Sequence, residues 1–377
     1  MKLIVFLILL AILAIAELIF YRKHALDDLS LHVSFSKPIA SFGEVVEVVE
    51  VAENNKKLPL PFVLLKFESP TSLEFLDMTN STLSDLVYRE DMLTMKPNSR
   101  HTRRIKVKCA KRGYYSFVRV NLTTSDILLM EKITRTFDND ANITILPELI
   151  PLPDLKTLMS ITFSDVVQRR TLLTDPFSFA GIREYQPWDP MRSINWTATA
   201  RAGDFMVNQN ASTSTRQVSI FLNLEFYNIK ESLALLEKAI SLAYSYACEL
   251  NNQGIPSQIF TNGRDAITGS AVIDALAAEN GDNLKRGLAL ARIDIGAGVI
   301  PFADLIDEYI QNTGANDYIV VISPKYDATF RPVLLDLKRK RPSLLWVMPC
   351  YRTTAEVEME PELRSNYMRW EVKGNDR

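Results

Sequence analysis

The chain has 377 residues, a length that fits two globular domains better than one. Apolar residues make up 47% of it and the formal net charge is -2, a balance that excludes a disordered chain, a collagen-like repeat and a polyanion-binding protein, so nucleic acid is not an expected partner. Cys109, Cys248 and Cys350 are odd in number and far apart, which does not make a disulfide framework and points to a reducing compartment.

The first element is the run Leu3 to Phe20, apolar except for Glu17 and long enough as a helix to span most of a hydrocarbon core. Residues 1–24 are therefore expected to be a single-pass membrane anchor. The competing reading is a signal peptide cleaved after Ala14-x-Ala16, against which the apolar run continues through that point to Ile19 and Phe20. Lys2 flanks one end and Arg22 and Lys23 the other, so the charges do not set an orientation. The rest of the chain is expected on the cytoplasmic side of the cell membrane.

Residues 29–150 read as an antiparallel β-sandwich module. Short runs rich in Val, Ile, Phe and Thr, among them LHVSF, GEVVEVVEVAEN, FVLLKFES, TRRIKVKCA, YYSFVRVNLTT and NITILPE, alternate in polarity as half-buried strands do. In the second run Val46, Val48 and Glu50 share a face, and Asn54 and Asn55 close it as a turn. Lys56, Lys57, Arg103 and Arg104 are expected to protect sheet edges.

Three prolines between Pro147 and Pro153 predict an extended linker, and residues 151–210 an irregular connecting segment. Beyond it the texture changes. QVSIFLNLE, SQIFTN, DYIVVIS and SLLWVMP read as buried strands; Lys230 to Asn251, Asp282 to Ala291 and Pro301 to Gln311 read as helices. Apolar strands between helices predict a mostly parallel sheet covered on both faces over residues 211–352, with 353–377 as a C-terminal tail. The fold class is thus an α+β multidomain chain: membrane helix, β-sandwich module, then a Rossmann-type α/β domain.

The passage Phe179 to Gln209 gathers the chain's most chemical residues: Arg183, Glu184, Tyr185, Asp189, Arg192, Trp196 and Arg201. Asp189 is placed to cap a helix over 190–202, Pro190 to open it and Gly203 to end it. Arg192 and Trp196 would then share a face, with the guanidinium over the indole and within reach of Glu184 or Asp189. This is either a buried clamp or, because guanidinium forks suit carboxylate and phosphate, a partner site.

GIREYQPWDPMRSINWTATAR resembles the signature of domain-of-unknown-function family 58, close to R-x-Y-x-x-G-D-x-x-R-x-I-x-W-x-x-x-A-R, on Arg183, Tyr185, Asp189, Arg192, Ile194, Trp196, Ala200 and Arg201. Trp188 departs from it, standing where that family has glycine. The upstream stretch KRGYYSFVRVNLTTSDILLMEKITRTF, with ITILPEL, is similar to the strand pair of the same family, so the resemblance covers most of the chain after the helix. It implies a membrane anchor, a β-rich module and a von Willebrand factor A-like domain, encoded beside a MoxR-type AAA+ ATPase.

Metal-binding von Willebrand domains end their first strand in DxSxS, whose oxygens hold a divalent cation. Here Asn223, Glu225 and Tyr227 stand at those places, and Ser323 ends the later strand where an aspartate is needed, with Asp327 beyond it. The metal site reads as degraded, and no metal or other cofactor is expected. Asn223, Glu225 and Ser323 are expected to line the crevice at the strand ends, or simply to cap loops.

Catalytic motifs are lacking. His24, His32 and His101 make no triad or zinc spacing, and there is no phosphate-binding GxxxxGK[ST] loop. Cys109 between Lys108 and Lys111 is expected to be buried and inert. The expected function is a non-enzymatic adaptor at the membrane, with protein partners; a metal-dependent adhesion or ligand-binding protein facing the cell exterior is the alternative, and a hydrolase a distant third.

Overall fold

In the computed structural model the N-terminal run forms one helix, α1 (Lys2–His24), of 23 residues, about 34 Å at 1.5 Å per residue. It is long and apolar enough to cross a membrane, and most of its apolar side chains from Leu3 to Phe20 face outward. The structure describes residues 2–83, 86–172, 174–187, 189–212, 217–226, 229–270, 282–313 and 317–372. Tyr227 and Trp188 lie outside the described residues. The chain divides into two units, Met1–Glu148 with Leu290–Arg292, and Leu149–Ala289 with Ile293–Arg377.

The first unit is β-rich. After α1 come β1 (Leu29–Phe35), β2 (Ile39–Ala40), β3 (Val45–Asn54), β4 (Leu60–Pro70), β5 (Leu73–Phe75), β6 (Ser81–Leu83), β7 (Leu86–Met95), β8 (Ser99–Cys109), β9 (Gly113–Ser125) and β10 (Lys132–Ile145). They form two sheets, ordered β1-β3-β8-β5 and β2-β10-β9-β4-β7-β6, antiparallel throughout except for the short β2–β10 pair. Alternation makes the sandwich: Val33, Val46, Val48 and Val107 from one sheet share a core with Val63, Leu65, Phe67, Phe117, Val120, Leu122 and Ile143 from the other. The same alternation carries Glu50 inward after Val46 and Val48. Arg103 lies on the part of β8 that β5 leaves unpaired, but its guanidinium turns in to pair with Asp91 instead of standing out to guard that edge.

The second unit opens with α2 (Leu152–Leu172), where an irregular segment was expected; residues 147–151 before it have no regular structure, as the prolines predict. Pro153 sits in the first helical turn, where an amide hydrogen has no intrahelical partner in any case, so the prolines start this helix instead of preventing one. Its buried Leu155, Leu158, Met159, Thr162 and Val166 follow the helical period, and Thr162 Oγ1 meets Tyr246 Oη at 2.6 Å. Then follow β11 (Thr174–Glu184), α3 (Trp196–Ala202), β12 (Met206–Ser212), β13 (Val218–Leu222), α4 (Ile229–Asn252), β14 (Ser257–Thr261), β15 (Arg264–Asp265), α5 (Asn283–Ala291), β16 (Ile293–Asp294), α6 (Phe302–Tyr309), β17 (Tyr318–Ile322), α7 (Phe330–Lys340), β18 (Leu344–Cys350), α8 (Pro361–Arg364) and β19 (Tyr367–Glu371).

Five of these strands make a wholly parallel sheet in the order β14-β13-β17-β18-β19. Every residue of β13, β17 and β18 is buried, as strands covered on both faces require. On one face Phe221, Ile319, Val321 and Trp346 pack with Phe302 and Leu305 of α6 and Phe330 and Leu334 of α7; α2 and α4 meet the sheet strands as well. The segment read as a tail is corrected: it holds α8 and the fifth sheet strand, β19, with Leu363 and Trp370 buried. YMRWE is too short and too polar to announce itself; its place comes from the partner strand.

Candidate functional site

In sheet order the chain runs 2-1-3-4-5, so its direction of winding reverses between β13 and β17. That is the topological switch point, where open parallel sheets gather their functional groups at the carboxyl ends of the strands. Side chains from the loops after β13, β14 and β17 converge there.

Asn223, the residue after β13, is fully buried and spends its side chain internally. Its Nδ2 donates to Ser323 Oγ at 3.1 Å, and its Oδ1 accepts from the amide of Glu225 at 3.0 Å and from Asn262 Nδ2 at 3.1 Å. Ser323 is fully buried too, accepting from the amide of Lys325 at 3.2 Å and donating to its carbonyl at 3.1 Å. Neither lines a crevice, so that expectation is corrected: both lock the strand ends, because a buried polar side chain must find partners nearby. Asn262 completes the lock, donating to the Ile300 carbonyl at 2.9 Å and accepting from the amide of Leu224 at 2.8 Å.

Glu225 and Asp327 each serve a helix. Glu225 Oε1 accepts the Phe302 amide of α6 at 2.8 Å, and Asp327 Oδ1 accepts the Thr329 and Phe330 amides at the start of α7, at 3.0 and 2.7 Å. Carboxylates at helix N-termini are favoured by the exposed amides and the dipole. Between the two acids lies the Lys325 ammonium, 3.0 Å from Glu225 Oε2 and 3.2 Å from Asp327 Oδ2, with Thr329 Oγ1 at 3.3 Å. Burial alone would lower the lysine, but its bonds to both acids outweigh that and hold it above the ordinary lysine range. Burial likewise opposes ionisation of Asp327, yet the Thr329 hydroxyl, the Phe330 amide and Lys325 together bring it down to about 2.

A divalent cation does not fit this donor set. The position between the carboxylates holds an ammonium, and the Asn223 and Ser323 oxygens expected at ligand positions are committed to neighbours. Among the described residues no group of three or more His, Cys, Asp or Glu is arranged to hold a metal. Lys325, Thr329 and Asn262 escaped the sequence reading; the available signal was the SPKYD loop directly after a buried strand, which sets a cation two residues from an acid.

The signature passage folds as a hairpin. β11 and β12 pair with Arg183 opposite Val207 and Glu184 opposite Met206. The expected helix over 190–202 is shorter: Met191–Ser193 is a single 3₁₀ turn, and α3 begins only after Asn195, whose side chain accepts from the Ala198 amide. Gly203 ends α3 with φ 84°, the left-handed role foreseen for it. Asp189 caps no helix. It accepts a two-pronged bond from Arg183, 2.6 and 2.7 Å, and the Gln186 amide at 2.9 Å. Its carboxyl is held below the usual range by Arg183 first and that amide second. Arg192 lies outside α3 and so shares no helix face with Trp196, whose indole instead meets Phe205 edge-on at 6.4 Å. Trp196 is 64% exposed, and Glu184, Arg192 and Arg201 are exposed with it; Tyr185 is half-buried against Phe205.

A second charged cluster lies inside the sandwich. Asp91 accepts from Arg89 Nε at 2.8 Å, from Asn80 Nδ2 at 2.9 Å and from Arg103, with Glu50 facing it. Burial, and then the Asp91 charge, push Glu50 up to about 8 against the pull of Arg89 and Arg103. Cys109 is fully buried, and burial pushes its thiol up to about 11, which suits an inert core residue.

No protein-family model and no curated protein matches the chain. Solved structures it is similar to include a CARDB domain from Pyrococcus furiosus in complex with di-metal ions, at 12% identity over 32% of this chain and 94% of that one, TM-score 0.20. A non-cellulosomal cohesin from Archaeoglobus fulgidus is similar at 13% identity over 32% and 91%, TM-score 0.22. A cohesin–dockerin complex from Clostridium thermocellum follows at 9% over 32% and 100%, TM-score 0.23. Likenesses of this size carry no argument about what the chain binds.

Proposed function

We propose that this chain is a membrane-anchored, non-enzymatic adaptor of the domain-of-unknown-function 58 kind. Its second unit is then a von Willebrand factor A-like domain that works without a cation. The observation that carries the reading is Lys325, whose ammonium bridges Glu225 and Asp327 at the switch point of the sheet. An internal cation there supplies the charge balance that a bound metal would otherwise give, so ligand capture through a metal is replaced by a permanently closed strand end. The exposed Arg192, Trp196, Arg201 and Phe205 around α3 support a partner surface, since Trp and Arg are the residue types that dominate binding hot spots. A MoxR-type AAA+ ATPase is the partner that the signature implies, on the cytoplasmic face of the membrane.

The test is co-purification of the full chain from native membranes, with Trp196→Ala alongside. Enrichment of an AAA+ ATPase that the variant loses is the expected result; a chain that repeatedly comes alone sinks the adaptor reading. Calorimetry with magnesium and with manganese is expected to give no heat, and saturable binding would favour the adhesion alternative.

A further inference from the structure

The hairpin tip between β9 and β10 carries Ile127, Leu128, Leu129 and Met130 in succession, each between 53% and 70% exposed. Loop tips are ordinarily polar, and a contiguous apolar patch marks a surface that something covers. The tip is held in shape beneath these side chains. Leu129 adopts φ 58° and its amide donates to the Asp126 carbonyl at 3.1 Å, while the Glu131 amide donates to Asp126 Oδ1 at 2.7 Å. Ser125 and Asp126 are buried.

What lies beside the tip identifies its occupant. The Ile127 amide donates to Glu17 Oε1 at 2.9 Å, and Glu17 is the one charged residue between Leu3 and Phe20 of α1. Ile19 and Phe20, further along the helix, still face outward at 60% and 52%. At 1.5 Å per residue Phe20 lies about 4.5 Å beyond Glu17, so the helix's apolar surface continues past the level where the tip meets it. Charges begin only after that level, with Arg22 paired to Glu131 at 3.7 Å, then Lys23 and Lys132. The base of α1 is also tied to the sandwich. Tyr21 is buried and its hydroxyl donates to the Pro59 carbonyl at 2.9 Å, Lys56 reaches the Ala25 carbonyl at 2.6 Å, and Arg135 reaches the Leu26 carbonyl at 2.7 Å.

We infer that Ile127–Met130 is a second membrane contact, entering the interfacial layer of the same leaflet that the carboxyl end of α1 leaves, so that the sandwich is held against the bilayer at two points. The inference rests on α1 being a membrane anchor. Glu17 is thereby explained: it is sited where a carboxylate can satisfy the tip's backbone at membrane depth, where an amide without a partner is costly. Apolar side chains with basic neighbours at headgroup level suit an interface contact.

The experiment uses the full chain in phosphatidylcholine vesicles containing nitroxide-labelled lipid, with an environment-sensitive fluorophore on a single introduced cysteine in a Cys248→Ser background, Cys109 and Cys350 being buried. Three sites are compared: Leu10→Cys in the helix, Met130→Cys at the tip and Val118→Cys, which is exposed twelve residues back along the hairpin. Loss of emission at Leu10 and Met130 but not at Val118 is the expected result. Quenching at Leu10 alone overturns the second contact and leaves the anchor standing. Quenching at all three overturns a contact specific to the tip, and quenching at none removes the anchor and the inference together.

Discussion

The two units place the same ingredients, paired acids with basic side chains, in different surroundings. In the sandwich, Glu50 and Asp91 face Arg89 and Arg103 in a core where Glu50, Asp91 and Arg89 are almost wholly buried. At the sheet end of the α/β unit, Glu225 and Asp327 share Lys325 where each side chain keeps a modest exposure. Burial decides how the second acid is compensated. Deep in the sandwich the cost of a second charge exceeds what two arginines return, and Glu50 holds a proton. At the sheet end both acids gather around one ammonium, each with helix amides to help, and Asp327 is held down to about 2.

The comparison can be broken most forcefully at Arg89. Arg89→Met leaves the buried Asp91 charge with Arg103 alone, and removing one partner of a buried pair costs about 3–5 kcal/mol, read as a lowered unfolding midpoint in urea. A midpoint within error of the parent would mean that the arginine only fills space.

Next comes the proton on Glu50. Its folded pKa, about 8, lies above the carboxyl's unfolded value, so the folded state binds the extra proton. The contribution is fully present below about pH 4 and is lost as pH rises through about 8. Glu50→Gln should flatten this part of the stability profile and make the sandwich more stable than the parent above pH 8. Parallel profiles for the two proteins would show that Glu50 ionises freely.

At the sheet end Lys325→Met should cost about 1.5–3 kcal/mol, the range for hydrogen bonds to charged groups, because two acids then face each other without a cation. Asp327 gives the acid arm the opposite sign. Its folded value, about 2, lies below the unfolded value near 4, so its stabilisation is present above about pH 4 and lost as pH falls through about 2. Thermal melts between those limits, in parent and Asp327→Asn, separate it from other carboxylates. The smallest effect belongs to Arg192→Ala: the side chain is exposed, so stability should move by no more than about 0.5 kcal/mol. A large loss there would restore the buried clamp that the sequence suggests.

The legible parts of this protein were those written in short-range pattern. Alternation in β3 announced the strand and set Glu50 on one face with Val46 and Val48, without saying that this face turns inward, and the unbroken apolar runs of β13, β17 and β18 announced a covered parallel sheet. The misread parts have local causes. The prolines announced the stretch without regular structure at 147–151 but not the helix that follows, which the packing of Leu158 and Thr162 secures. Asp189 sits as well placed for a helix cap as for Arg183, and the arginine wins because two charged hydrogen bonds outweigh one cap.

By itself the sequence determined where α1, the sandwich strands and the buried strands β13, β17 and β18 lie, because 2- and 3.6-residue periods are properties of neighbours along the chain. Only the tertiary structure decided which charges meet. Lys325 and Glu225 are a hundred residues apart, Glu17 and Ile127 a hundred and ten. Such pairings depend on strand order and hairpin register, and their strength depends on how much water the surrounding fold removes, which no local pattern records.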